Sequence, residues 1–152
     1  MRKIMFVCHG NICRSPMAEF LCKDLLKKQG REKEFTIASS AVSTEEIYRG
    51  VGNPVYPPAR EELRKHGILC EGKRARLLTK EDAEEYDLFL CMDEGNLRRA
   101  KAILGEKHEN KCKKLMSYAG GGDVADPWYT GDFSKTYQDL ARGIAGLLKE
   151  LD

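Results

Sequence analysis

A chain of 152 residues, 41% of them hydrophobic, has enough apolar material for one ordinary domain and is too short for two. Its 26 basic and 24 acidic side chains leave a net charge of +2, which argues against a polybasic surface for nucleic acid or an anionic membrane. No apolar segment approaches the length of a membrane span, and the stretch after Met1-Arg2-Lys3 stops at Cys8-His9-Gly10, too early for a secretory signal.

The first element is the continuous apolar run Ile4-Met5-Phe6-Val7, which reads as a strand buried on both faces. Directly after it comes Cys8-His9-Gly10-Asn11-Ile12-Cys13-Arg14-Ser15, then Pro16, a residue suited to the first turn of a helix. A strand-to-helix turn of this kind points backbone N–H groups inward above a helix N-terminus and so forms an anion site. Arg14 adds a bidentate fork for two of the anion's oxygens. The same positive surroundings favour a thiolate at Cys8, which puts a nucleophile and an oxyanion cradle in one short segment. A cysteine ending a buried strand is commonly inert, the reading that suits Cys91 in Leu88-Phe89-Leu90-Cys91-Met92. At Cys8 the Gly, Asn, Arg and Ser that follow each serve an anion loop, and none is what a packed core selects.

Further along, Met17, Phe20, Leu21 and Leu25 recur at helical spacing from Arg14 to about Lys28, with Gly30 as a stop. Phe35 to Ser39 reads as a second strand, and the Gly- and Pro-rich stretch from Ser43 to Pro58 as a long loop. A helix follows from about Ala59 to His66, ending at Gly67, and Thr79 is a candidate cap for a short helix through Ala83. Leu88 to Met92 is the third strand, and Asp93 the N-cap of a helix carrying Leu97, Ala100 and Leu104. Leu115-Met116 lies in a weaker fourth strand after a charge-rich turn at Lys107 to Lys114. Tyr137, Leu140, Ala141, Ile144, Leu147, Leu148 and Leu151 form one stripe on a closing helix. Strands alternating with helices imply a parallel sheet with helices on both faces and a ligand site beyond the strands' carboxyl ends. That edge collects the Cys8 loop, Ser39 and Asp93.

Phosphoryl transfer through a thiolate also needs an acid for the leaving group and a base for water. Asp126 is the candidate, in Asp123-Val124-Ala125-Asp126-Pro127-Trp128-Tyr129 after the Gly120-Gly121-Gly122 run, which would let the segment approach another loop. Trp128 and Tyr129 would wall a slot for an aryl substrate. On this segment alone, an Asp-Pro turn covered by aromatics is an equal reading, and Asp123 is an alternative acid. Six cysteines with no paired Cys-x-x-Cys fit free thiols in a reducing cytoplasm better than a disulfide framework or a zinc site.

The run Val7 to Pro16, His66-Gly67-Ile68, Cys91-Met92-Asp93 with Asn96, and Asp126-Pro127 with two following aromatics together resemble the low-molecular-weight protein tyrosine phosphatases over nearly the whole chain. The resemblance implies one α/β domain over residues 1–152, a three-layer sandwich on a four-stranded parallel sheet. It implies hydrolysis of phosphotyrosine in proteins or peptides, with inorganic phosphate as product and neither metal nor cofactor. By that likeness Cys8 is the nucleophile, Arg14 binds phosphate, and Asp126 is acid and then base. His9, Gly10, Asn11, Ile12, Cys13 and Ser15 form the loop, with Ser15 hydrogen-bonding the Cys8 sulfur and Asn11 held partly by Ser39. The alternatives are that Ser15 only caps the helix and Ser39 only ends its strand. A cysteine at position 13 is common in the family and would trap an oxidised Cys8 as a reversible disulfide.

Some positions depart from the family pattern. His9 stands where animal members often have Leu, Lys73 where many have His, and Tyr56-Pro57-Pro58-Ala59 where Asp-Pro-Arg-Ala is usual, with Tyr48 and Tyr56 as candidate aromatic walls. Related activities on the same loop are a thiol-linked arsenate reductase, for which Cys70, Cys91 and Cys112 offer no convincing relay pair, and a protein-arginine phosphatase, which carries Thr where this chain has the apolar Ile12. A non-catalytic phosphate-binding module would need neither Cys8 nor Asp126.

Overall fold

A computed structural model describes residues 2–152. Strand β1 (Arg2–Cys8) runs into helix α1 (Arg14–Lys28), and β2 (Phe35–Ala41) returns beside β1 in parallel, with Cys8 opposite Ala41 at the top of the register. After two short strands, β3 (Ile47–Tyr48) and β4 (Val51–Gly52), come α2 (Pro57–Lys65) and α3 (Asp82–Glu85). Strand β5 (Leu88–Cys91) pairs with the other side of β1, α4 (Glu94–Leu104) crosses back, and β6 (Cys112–Lys114) pairs with β5. The short α5 (Pro127–Thr130) and the long α6 (Phe133–Glu150) close the chain.

The sheet is four-stranded and parallel in the order β2-β1-β5-β6, with helices on both faces, as expected. The period of two sorts its side chains between two cores. Ile4, Phe6 and Cys8 of β1 and Leu90 of β5 face the larger core, with Met17, Leu21 and Leu26 of α1 and Leu140, Ile144 and Leu147 of α6. Met5 and Val7 with Phe89 and Cys91 face the smaller one, with Ala83, Ala100 and Leu104. Because both faces are covered, β1 has no polar position between Ile4 and Val7, which explains its continuous apolar run. The chain leaves β1 toward β2 on one side and β5 on the other, so the strand order reverses at the carboxyl end of β1, where open α/β sheets bind ligands.

Several boundaries differ from the sequence reading. The fourth strand is Cys112–Lys114, and Leu115-Met116 instead open a 3₁₀ turn (Leu115–Ala119) whose apolar side chains pack on α6. Residues 43–58 are not all loop: Ile47-Tyr48 and Val51-Gly52 form an antiparallel hairpin whose tip, Arg49 and Gly50, has φ of 51° and 78°. The short helix begins at Asp82, and Thr79 donates its N–H to Asp82 Oδ2 rather than capping it. The second strand runs past Ser39 to Ala41. Among the described residues no helix is long and apolar enough to cross a membrane.

Candidate active site

The loop between β1 and α1 wraps around the Cys8 sulfur. Three groups converge on it: the Asn11 N–H at 3.3 Å and the Ser15 N–H at 3.4 Å donate to it, and the Ser15 hydroxyl at 3.0 Å is a third donor when the sulfur is a thiolate. Donors so placed stabilise a negatively charged sulfur. Ser15 is therefore not a helix cap, since no side chain caps the start of α1.

Asn11 makes this geometry possible. Its φ of 60° lies in the left-handed region, which Asn tolerates better than most side chains, and its amide is fully engaged. Nδ2 donates to Ser15 Oγ at 2.7 Å and to Ser39 Oγ at 2.9 Å, while Oδ1 accepts the Arg76 N–H at 3.0 Å. Ser39 in turn donates to Glu19 Oε1 at 2.6 Å. Lys73 stands beneath this network, donating to the Ser39 carbonyl at 3.0 Å with its ammonium 3.6 Å from Glu19. Burial pulls the Lys73 pKa down against the attraction of Glu19. Lys73 thus ties the Ser39 backbone and Glu19 together beneath the loop.

Arg14 is buried at 3% exposure. One guanidinium nitrogen donates to Asp93 Oδ2 at 2.8 Å and to the Val124 carbonyl at 2.9 Å, and the other reaches Asp126 Oδ2 at 3.5 Å. Burial opposes its charge, but the Cys8 sulfur, Asp93 and Asp126 outweigh burial and raise its pKa. Asp93 is likewise subject to burial, which would raise its carboxyl pKa. Hydrogen bonds from Arg14 and the Asn96 N–H outweigh that and hold it below the usual carboxylate range. Asp126 caps α5 by accepting the Trp128 N–H at 3.0 Å, which aims one carboxylate oxygen at backbone and the other toward Arg14. Asp123 points elsewhere, paired with Lys114 at 2.9 Å. Gly120, Gly121 and Gly122 all have φ above 90° and open space where a side chain would stand, so they serve a turn and not the close approach expected of them.

Cys8, His9, Gly10, Ile12, Cys13, Arg14, Asp126, Trp128 and Tyr129 line one cleft of about 140 Å³. Asn11 and Ser15 lie beneath it. Trp128 leans on Tyr56, the ring centroids 4.8 Å apart, whereas Tyr48 is exposed at the hairpin tip under Arg49. Tyr56 is thus the aromatic support and Tyr48 is not. The sequence reading missed two further lining residues, Glu45 and Glu46. It also missed buried Glu19 and the pairing of Asp93 with Arg14.

The chain as a whole matches a known family. The family model for low molecular weight phosphotyrosine protein phosphatase covers residues 3–152. The chain belongs to that family. A Bacillus subtilis relative, low molecular weight protein-tyrosine-phosphatase YfkJ, is 35% identical over 99% of this chain and 96% of its own. Its crystal structure superposes with a TM-score of 0.92 at 34% identity, over 99% of this chain and 94% of that one. The low molecular weight phosphotyrosine protein phosphatase of Sus scrofa is 37% identical, covering 99% of this chain and 96% of its own. The YwlE arginine phosphatase, in a mutant with a phosphorylated active-site serine, superposes with a TM-score of 0.86 at 29% identity, over 98% of this chain and 95% of that one.

Proposed function

We propose that the protein hydrolyses phosphotyrosine in proteins or peptides, and small aryl phosphates, through a phosphocysteine intermediate. The observation that carries this reading is the Cys8 sulfur held by three donors at the floor of a cleft that Arg14 and Asp126 share. The Cys8 thiolate attacks phosphorus as the P–O bond to the phenol breaks, and Asp126 gives its proton to the departing phenoxide. Asp126, now a carboxylate, takes a proton from a water that attacks phosphocysteine, releasing inorganic phosphate and regenerating the thiolate. Arg14 and the loop N–H groups hold the equatorial oxygens as charge develops. Ser15 supports the sulfur both as nucleophile and as leaving group.

The apolar Ile12 beside Trp128 and Tyr129 suits a phenyl ring better than a guanidinium. Turnover of aryl phosphate, phosphoarginine and arsenate by wild type, Cys8→Ser and Asp126→Asn tests the reading. Aryl phosphate should be hydrolysed with chelator present, Cys8→Ser should abolish it, and Asp126→Asn should reduce it by roughly 10²–10⁴-fold. Undiminished activity in Cys8→Ser would overturn the mechanism, and preferred turnover of phosphoarginine the substrate.

Cys13 lines the same cleft, and burial, with Cys8 and Asp126 adding to it, pushes its thiol pKa well up. Its thiolate is therefore scarce, which leaves Cys8 as the nucleophile toward phosphorus and Cys13 as a slow resolving thiol. After peroxide converts Cys8 to a sulfenic acid, the Cys13 sulfur attacks it, forming the disulfide and expelling water. Mass spectrometry after mild peroxide should find that bond, and an unpaired, overoxidised Cys8 would overturn the protective role. Six free, buried cysteines fit a reducing compartment, for which we propose the cytoplasm.

A further inference from the structure

One wall of the cleft is acidic, and each of its carboxylates has a hydrogen-bond partner. The segment after β2 is fastened to the Cys8 loop by the Val42 N–H on the Cys8 carbonyl at 3.0 Å and the Ser43 N–H on the His9 carbonyl at 3.1 Å. Glu45 then stands with Oε2 at 2.9 Å from His9 Nε2. The Glu46 stem lies against the loop backbone, its Cγ 3.1 Å from where a side chain on Gly10 would begin, and its Oε1 accepts the Asn53 amide at 2.9 Å. Across the cleft stand Trp128 and Tyr129, at 53% and 85% exposure.

The nearby cations do not cancel this wall. Arg14 is buried and engaged with Asp93, and Arg49 is stacked on Tyr48 at the hairpin tip. Among the described residues, His9 is the partner of Glu45, and Glu46 has the neutral Asn53 amide as its partner. A phosphoryl group on the Cys8 loop with its ring against the aromatic side directs the flanking peptide residues over the rim, past Glu45 and Glu46. Carboxylates already held by His9 and Asn53 lose little further freedom on meeting a cation, whereas an acidic peptide meets like charge.

We propose that Glu45 and Glu46 are specificity-determining residues that select phosphotyrosine flanked by Lys or Arg over phosphotyrosine flanked by Asp or Glu. The proposal rests on the phosphotyrosine reading above. The test compares kcat/KM for two phosphotyrosine peptides that differ only in carrying Lys or Glu on each side of the phosphoresidue, at low and at physiological salt. Wild type should favour the Lys peptide by about five- to tenfold at low salt, with the ratio shrinking as salt rises. In the Glu45→Gln, Glu46→Gln double variant the ratio should fall toward one. A ratio within one protein is unaffected by the amount folded or by its absolute turnover. Equal use of the two peptides by wild type, or an unchanged ratio in the double variant, would overturn the proposal, whereas turnover of neither peptide would overturn the phosphotyrosine reading and this one with it.

Discussion

Arg14 Nη1 donates to Asp93 Oδ2 at 2.8 Å, so the arginine of the Cys8 loop is anchored by the residue that also caps α4 through the Asn96 N–H at 2.7 Å. One carboxylate joins the loop after β1 to the helix after β5, across the point where the strand order reverses. The guanidinium it holds also grips Val124 and Asp126, so the acid's segment is oriented from the same centre.

Asp93→Asn and Asp93→Ala should separate the two roles of this carboxylate. Asparagine keeps a capping oxygen and loses the charge opposite a buried guanidinium, at about 1–3 kcal/mol of stability. Alanine also loses the cap, worth about 1 kcal/mol more. Denaturant melts at pH 7 should rank wild type above Asn above Ala, and both variants should lower kcat as Arg14 loses its orientation. Equal stability of Asn and wild type would show that Val124 and Asp126 suffice to hold Arg14.

Acid should erode this stabilisation. Asp93 and Asp82 are both pulled below the ordinary carboxylate range despite burial, by Arg14 and the Asn96 N–H in one case and by Arg76 and Thr79 in the other. A carboxylate whose folded pKa is depressed contributes stability that is complete above the unfolded value, about 4, and is lost as pH falls through the folded value. Wild type should therefore lose stability progressively below about pH 5, with Asp93→Asn and Asp82→Asn each flattening the decline. Denaturant midpoints measured from pH 7 down to pH 3 check this, and parallel curves for the variants and wild type would contradict it.

Asn11 offers a test of why a strained residue sits in the loop. Asn11→Gly accepts the φ of 60° but loses the bonds to Ser15, Ser39 and Arg76, and Asn11→Ala loses both. Activity should fall by about 10–10²-fold in each, since a small displacement of the donors around Cys8 is enough. The alanine variant should also be about 1 kcal/mol less stable than the glycine variant, the cost of a left-handed Cβ. If Asn11→Gly kept full activity, the network through Ser39 and Glu19 would have no part in placing the sulfur's donors.

What the sequence made legible follows from locality. The Cys8 loop was readable because strand end, anion cradle, nucleophile and helix start are contiguous, and Asp126 because Pro127 and two aromatics mark its segment. The fourth strand was misplaced because β6 buries only Cys112 of its three residues on a sheet edge, while the more apolar Leu115-Met116 are selected by α6. The hairpin of β3 and β4 escaped notice because two-residue strands have no periodicity. Glu19, Glu45 and Glu46 look like solvated charges in sequence. Only tertiary packing places Glu19 under Ser39 and the other two beside the cleft.

That hairpin carries the last prediction, because it sets where the acidic wall stands. Gly52 lies so close to the 75–76 segment that an added Cβ would come within 1.8 Å of the Ala75 carbonyl oxygen, a clash with backbone that no side chain can relieve. Gly50, at the tip, has a φ of 78° and open space around it. Gly50→Ala should thus cost only left-handed strain, about 1 kcal/mol, whereas Gly52→Ala should cost about 2–3 kcal/mol. The second substitution also pushes the hairpin from the Asn53 carbonyl bond with the Ala75 N–H, and the Asn53 N–H from the Glu46 carbonyl. Gly52→Ala should therefore weaken the preference for basic phosphopeptides as well as stability, measured by thermal melts and by the same pair of peptides. Equal stability losses in the two variants would mean that the hairpin moves freely away from Ala75, and the carboxylates of Glu45 and Glu46 would then have no fixed position from which to read a substrate's charge.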